Sequence, residues 1–105
     1  MHTRAIRLDA LRLALEEQFE QQTGELTELT IHSEAPEHNG HDRHTIVTRI
    51  ATTRQTLADT TQALRRIAEG TYGRCERCDA DIPVERLEIR PHARHCVPCQ
   101  QSVSS

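Results

Sequence analysis

The sequence predicts a mainly α chain: an antiparallel two-helix coiled-coil hairpin followed by a small four-cysteine module. Three observations carry this. Apolar residues recur at helical spacing through the first two thirds. All four cysteines fall in the last third, as two Cys-x2-Cys pairs. Aromatic residues make up only 2% of the 105 residues, namely Phe19 and Tyr72. So few large side chains cannot build a thick core, and chains this small often need a metal, a disulfide or a partner. A self-contained enzyme with a deep pocket is disfavoured.

The first helix is predicted over about residues 4–30, with Thr3 as a plausible N-cap. Leu8, Leu11, Leu15, Phe19, Leu26 and Leu29 form its apolar stripe, with Gln22 bridging the longer interval. Gly24 weakens the middle by about 1 kcal/mol relative to Ala, which allows a kink. The second helix is expected from a cap at Thr45 to a C-terminal stop at Gly70. Within it Ile46, Ile50, Thr53, Leu57, Thr60, Leu64 and Ile67 step by four and three, a heptad seam. Two similar lengths, each roughly 38 Å, and a single connection imply a hairpin. A helix exchange or dimer is the open alternative for this thin seam.

The connection, about residues 31–44, is expected to be the tip loop. It holds Pro36, Gly40 and His32, His38, His41 and His44. His41 and His44, with Glu37 or His38 nearby, have the side-chain chemistry for a second metal site. The plainer reading is a polar loop with solvated histidines. The predicted organisation is therefore a helical hairpin over 1–69 and a four-cysteine module with a short tail over 70–105.

The cysteines are Cys75, Cys78, Cys96 and Cys99, with 17 residues between the pairs. Each Cys-x2-Cys knuckle aims two sulfurs at one point, and two knuckles complete a tetrahedral set. Four thiolates leave no open coordination position, so the predicted cofactor is one structural Zn2+. Two disulfides are the alternative and would need an oxidising compartment. His92 and His95 have ligand chemistry, but the Cys set is already complete and they are expected on the surface. Ile82, Val84, Leu87, Ile89 and Val97 are the apolar residues available to pack around the metal. Residues 79–83 read as a turn leading to a short strand, and 85–89 as a helical turn or second strand. Arg74, Arg77, Arg94 and backbone N–H groups are placed to offset the charge of about −2 on a four-thiolate zinc site.

Charge narrows the partner class. The formal net charge is −3. Between Leu13 and His41 there is no Arg or Lys, while Glu16, Glu17, Glu20, Glu25, Glu28, Glu34 and Glu37 are acidic. A nucleic-acid binder normally carries a basic stripe. The block reads either as a protein-facing surface or as a solvated helix face. No Ser/His/Asp set or phosphate-cradling loop points to catalysis. No apolar run approaches the roughly 18 residues of a membrane span, and no secretion signal is expected at the start of the chain.

The stretch Ala63-Leu-Arg-Arg-Ile-Ala-Glu-Gly-Thr-Tyr-Gly-Arg-Cys-Glu-Arg-Cys78, then Ile82-Pro83, Arg86-Leu87-Glu88, Arg90-Pro91 and Cys96-Val-Pro-Cys99, resembles the DksA/TraR family of C4-type zinc-finger proteins. The resemblance covers about a third of the chain closely. It implies a cytoplasmic, non-enzymatic transcription regulator that binds RNA polymerase through its secondary channel, often together with ppGpp, without contacting DNA specifically. Family tips carry an Asp-x-x-Asp-x-Ala motif. The corresponding stretch here, residues 34–44, lacks it, and no tip residue is carried over. Two alternatives stay open: a zinc-stabilised adaptor for another protein, and a GATA-like DNA-binding finger. The uncharged tail from Gln100 onward argues against the second.

Overall fold

The computed structural model describes residues 2–34 and 43–104. Its elements are α1 (His2–Glu34), α2 (Arg43–Glu69), α3 (Val84–Ile89) and α4 (Val97–Ser104). The molecule is elongated, 55 × 33 × 21 Å. Among the described residues there is no strand, only an isolated antiparallel bridge between Arg74 and Asp81.

Both long helices extend further than the pattern implied. Thr3 and Thr45 lie inside α1 and α2 instead of capping them. At the start of α1 the reason is tertiary. The Arg4 guanidinium donates to the Gly73 carbonyl at 3.3 Å, and Arg7 pairs with Glu85 and Glu88 of α3. The first turns are therefore held from outside the helix. At the other end, 31–34 and 43–44 are helical where a loop was expected. The rest of that loop, 35–42, lies outside the described residues, and with it Glu37, His38 and His41.

The seam of α2 follows the predicted heptad. Ile46, Thr53 and Thr60 are buried, joined by Ala63, and Ile50, Leu57, Leu64 and Ile67 are half-buried. In α1, Leu11, Leu15 and Leu29 are buried and Leu8 and Leu26 half-buried. Phe19 departs from the prediction: it is 38% exposed. Heptad steps from Leu15 land on Gln18 and Gln22, both half-buried, so Phe19 sits one position past the inward line. Gly24 lies inside the continuous helix.

The end of α2 is a Schellman stop. Gly70 adopts φ +78°; its N–H donates to the Ile67 carbonyl at 3.1 Å, and Thr71 N–H to the Arg66 carbonyl at 2.8 Å. Beyond it the chain folds back on the base of α1. Leu11, Cys75, Ile82, Val84 and Leu87 form one buried cluster, with Leu8, Tyr72, Ala93, Cys96 and Cys99 against it. The module thus shares its core with the first helix. Ile89 and Val97, expected in that core, are 81% and 42% exposed. The inward positions of α3 are Val84 and Leu87, and Ile89 falls off that face. The expected tail is helical as α4.

A candidate metal centre

The first knuckle is shaped by backbone hydrogen bonds. Cys75 N–H donates to the Ala80 carbonyl at 2.8 Å, and Asp79 N–H to the Cys75 carbonyl at 2.9 Å. Asp79 closes the turn in the left-handed region, φ 64°, a conformation Asp tolerates better than most residues. Gly73, at φ +85°, supplies the preceding bend. The second knuckle opens α4: Cys96 precedes it, Cys99 lies in its first turn, and Gln100 N–H donates to the Cys96 carbonyl at 2.8 Å.

These turns bring Cys75, Cys78, Cys96 and Cys99 together with all four sulfurs within 4.8 Å of one another. The Cys78 and Cys96 sulfurs are 3.6 Å apart. A tetrahedral zinc with bonds of about 2.3 Å has sulfur–sulfur edges of about 3.8 Å, so the set fits one ion. Cys75 is buried, Cys96 and Cys99 are half-buried, and Cys78 is exposed. Among the described residues this is the one cluster of three or more convergent His, Cys, Asp or Glu side chains. His92 and His95 are not part of it.

The electrostatics of the thiols point the same way. Burial raises the Cys75 thiol, but backbone N–H groups of Cys78, Cys96 and Arg77 outweigh it and bring it down to about 5. For Cys78 the Ala80 N–H acts downward, yet hydrogen bonding with Cys96 and Cys75 leaves the thiol raised. Cys99 is pushed up to about 12, first by hydrogen bonding with Cys96, then by burial. Without a cation the Cys75 thiolate is comfortable, while Cys78 and Cys99 resist ionising. A divalent metal relieves that repulsion, and its binding releases protons.

The expected charge-offsetting arginines have other partners. Arg74 pairs with Asp79 at 3.0 Å. Arg77 donates to Ser102 Oγ at 3.0 Å. Arg94 donates to Gln62 Oε1 at 3.2 Å and lies 3.6 Å from Glu76. A backbone group does reach the sulfur: Cys78 N–H approaches Cys75 Sγ at 3.5 Å.

Sequence reasoning missed Arg66. Its side chain is 11% exposed and ties the end of α2 to both halves of the module. It donates to the Arg74 carbonyl at 2.7 Å and the Ala93 carbonyl at 3.5 Å, and lies 3.8 Å from Glu76. Tyr72 makes a similar link, its hydroxyl donating to the Pro91 carbonyl at 3.0 Å. Backbone carbonyls as partners leave no trace in residue identity, so neither role was visible beforehand. Arg66 also lines a basic cleft of about 690 Å3 between α2 and the module, with Arg86, Arg90, His92 and Arg94.

Residues 70–104 match the family model described as the prokaryotic dksA/traR C4-type zinc finger. This segment is thus similar to the DksA/TraR C4-type zinc fingers. It carries the four cysteines that are positioned to bind one metal ion. The chain is 42% identical over 48 residues to the RNA polymerase-binding transcription factor DksA of Caulobacter vibrioides, 46% of this chain and 34% of that protein. It is 44% identical over 50 residues to general stress protein 16O of Bacillus subtilis, 48% of this chain and 31% of the relative. The matched stretch thus spans about a third of the length of these curated relatives. The similarity to the solved structure of transcription factor DksA2 from Pseudomonas aeruginosa is broader. It has a TM-score of 0.61 and 26% identity, covering 96% of this chain and 79% of that one. The DksA/TraR resemblance and the helical architecture expected from the sequence are both borne out. Among the described residues no helix is long and apolar enough to cross a membrane.

Proposed function

We propose that this chain is a zinc-dependent transcription regulator that binds RNA polymerase through its secondary channel and makes no specific DNA contact. The observation that carries the reading is the joint likeness: a DksA/TraR finger at 70–104 and a DksA2-like shape over 96% of the chain. In this reading Cys75, Cys78, Cys96 and Cys99 are the ligands of one structural zinc. The metal fixes the module, which Arg66 and Arg7 lock to the paired helices. Those helices, α1 and α2, form the arm that enters the channel. Glu16, Glu17, Glu20 and Glu28 are exposed on α1, and they suit a positively lined passage. Function then rests on reach and shape, not on a reaction, and the site of action is the cytoplasm.

The basic cleft favours an anionic contact near the module, and ppGpp has the right charge. Arg86 Nε and His92 Nδ1 are buried there without a hydrogen-bond partner. A DNA-binding role has less support, since the part of α4 that follows Cys99 carries no charged side chain.

The test is affinity capture of the tagged full chain from its own cell extract, beside a variant with residues 36–42 replaced by a Gly/Ser linker. RNA polymerase subunits are expected with the intact chain and are expected to be depleted with the variant. Absence of polymerase subunits from the intact-chain capture sinks the reading in favour of an adaptor for another protein.

A further inference from the structure

The middle of the arm departs from the rest of it. Toward the module, α1 contributes Leu8, Leu11 and Leu15 to the interior, and α2 contributes Ala63, Leu64 and Ile67. Toward the tip, Leu26 and Leu29 sit on α1, and Ile46 and Ile50 on α2. Between Leu15 and Leu26, α1 offers no buried apolar side chain: its inward positions are Gln18, Gln22 and Glu25, and Phe19 is 38% exposed. The facing stretch of α2 is marked by two links across the hairpin, Gln22 with Thr60 at 2.9 Å and Glu25 with Arg49 at 3.0 Å. Inward positions there are Thr53, Thr56, Leu57 and Thr60, of which only Leu57 is apolar.

Backbone chemistry softens the same layer. Gly24 lies in it, and a Cβ added at Gly24 would meet nothing within 4 Å, so no packing contact requires a glycine. Thr23 and Thr27 donate their hydroxyls to the carbonyls of Phe19 and Thr23. On α2, Thr52, Thr56, Thr60 and Thr61 likewise donate four residues back. Such back-bonding competes with the helix ladder and favours bending, and glycine is a common site of helix kinks. Both helices carry such back-bonds through their middle, with one more on α1 nearer the tip, Thr30 to the Leu26 carbonyl; what is confined to this level is Gly24 and the interruption of the apolar seam.

We propose that the arm has a built-in joint at this level, centred on Gln22–Gly24 of α1 and Thr53–Thr60 of α2, about which the outer half tilts relative to the module-bound base. The joint deepens the function proposed above by giving the arm a compliant middle, but it is a property of the free chain and holds whichever partner the arm engages.

Hydrogen exchange on the zinc-loaded full chain tests it without any partner. Amides at residues 20–26 and 53–60 are expected to exchange faster than those at 8–15 and 63–69, and faster than those at 27–32 and 46–51. In Gly24→Ala, exchange at 20–26 is expected to slow roughly fivefold, the equivalent of the ~1 kcal/mol Gly–Ala difference in helix propensity, with the base unchanged. The double substitution Gln22→Leu and Thr60→Val, which makes the layer apolar, is expected to erase the local maximum. Exchange that rises steadily toward the tip, or a Gly24→Ala effect spread evenly along both helices, overturns the joint. Neither result bears on whether RNA polymerase is the partner.

Discussion

At the residue scale, the two module glycines separate backbone freedom from steric fit. Both have positive φ, Gly70 at +78° and Gly73 at +85°. Around Gly70 an added Cβ meets nothing within 4 Å, whereas at Gly73 it comes 3.3 Å from Arg4 Nη2 and 3.4 Å from Leu87 Cδ1. Leu87 is fully buried and cannot yield easily. The Gly73 carbonyl also accepts from Ile82 N–H at 2.7 Å and from Arg4. Gly70→Ala is therefore expected to cost about 1 kcal/mol of backbone strain, and Gly73→Ala about 1–2 kcal/mol or more. Urea unfolding of the zinc-loaded variants checks this; equal losses would mean that packing around Gly73 is immaterial. The convergence of the four cysteines was legible at this scale, because Cys-x2-Cys spacing is local geometry. Arg66 was not, because its partners are carbonyls of residues 74 and 93.

At the scale of elements, α2 was legible almost completely: its heptad seam is the buried face, and Gly70 is its stop. The first helix was legible apart from one position: Leu8, Leu11, Leu15, Gln22, Leu26 and Leu29 lie inward as expected, and Phe19 does not. Phe19 is the largest apolar side chain in its region, and pattern reading drew it into the stripe, whereas the geometry of two paired helices selects Gln18 there. The short α4 carries no apolar period and is placed by its flanking cysteines and by Arg77 on Ser102. The junction of α1 and α3 gives a pH prediction. A hydrogen bond from Arg7 holds the Glu88 carboxyl below its ordinary range, and Arg7 is raised by the same contact. A lowered carboxylate stabilises the fold above the ordinary Glu range of about 4.3 and loses that contribution as pH falls through the folded value. Arg7 is half-buried and Glu88 exposed, so solvent screens the pair and the effect is modest. Arg7→Gln is expected to be less stable than the parent by a constant margin above about pH 5, and that margin should close as Glu88 protonates. Acid also displaces zinc from thiolates, but that loss is common to both proteins and cancels in the difference. A margin indifferent to pH would mean that Arg7 acts through packing alone.

At the scale of the molecule, metal and arm are one mechanical system. The buried cluster that holds Cys75 also holds Leu11 of α1, and Arg4, Arg7 and Arg66 fasten the helices to the module. Structural zinc contributes on the order of 10 kcal/mol in finger peptides, more than so small a cluster supplies. Chelation under reducing conditions is therefore expected to unfold 70–104 and loosen the base of α1, while the outer arm keeps part of its helix. Native mass spectrometry should find one zinc per chain, and far-ultraviolet circular dichroism before and after chelation follows the loss. A reduced, metal-free chain with unchanged near-native exchange protection would refute this dependence.

By itself the sequence determined the elements governed by short-range periodicity: four cysteines at metal spacing, a heptad on α2, a helical stripe on α1 and glycines where the backbone must reverse. Only the tertiary structure decided that Gln18 and not Phe19 faces inward on α1, that Ile89 and Val97 stay outside the core, and that the module is built on the base of the arm. The physical reason is range. Helical repeat and ligand spacing act within a few residues and are written in residue type, whereas the ties through Arg4, Arg7 and Arg66 join positions far apart, often to backbone atoms that every residue shares.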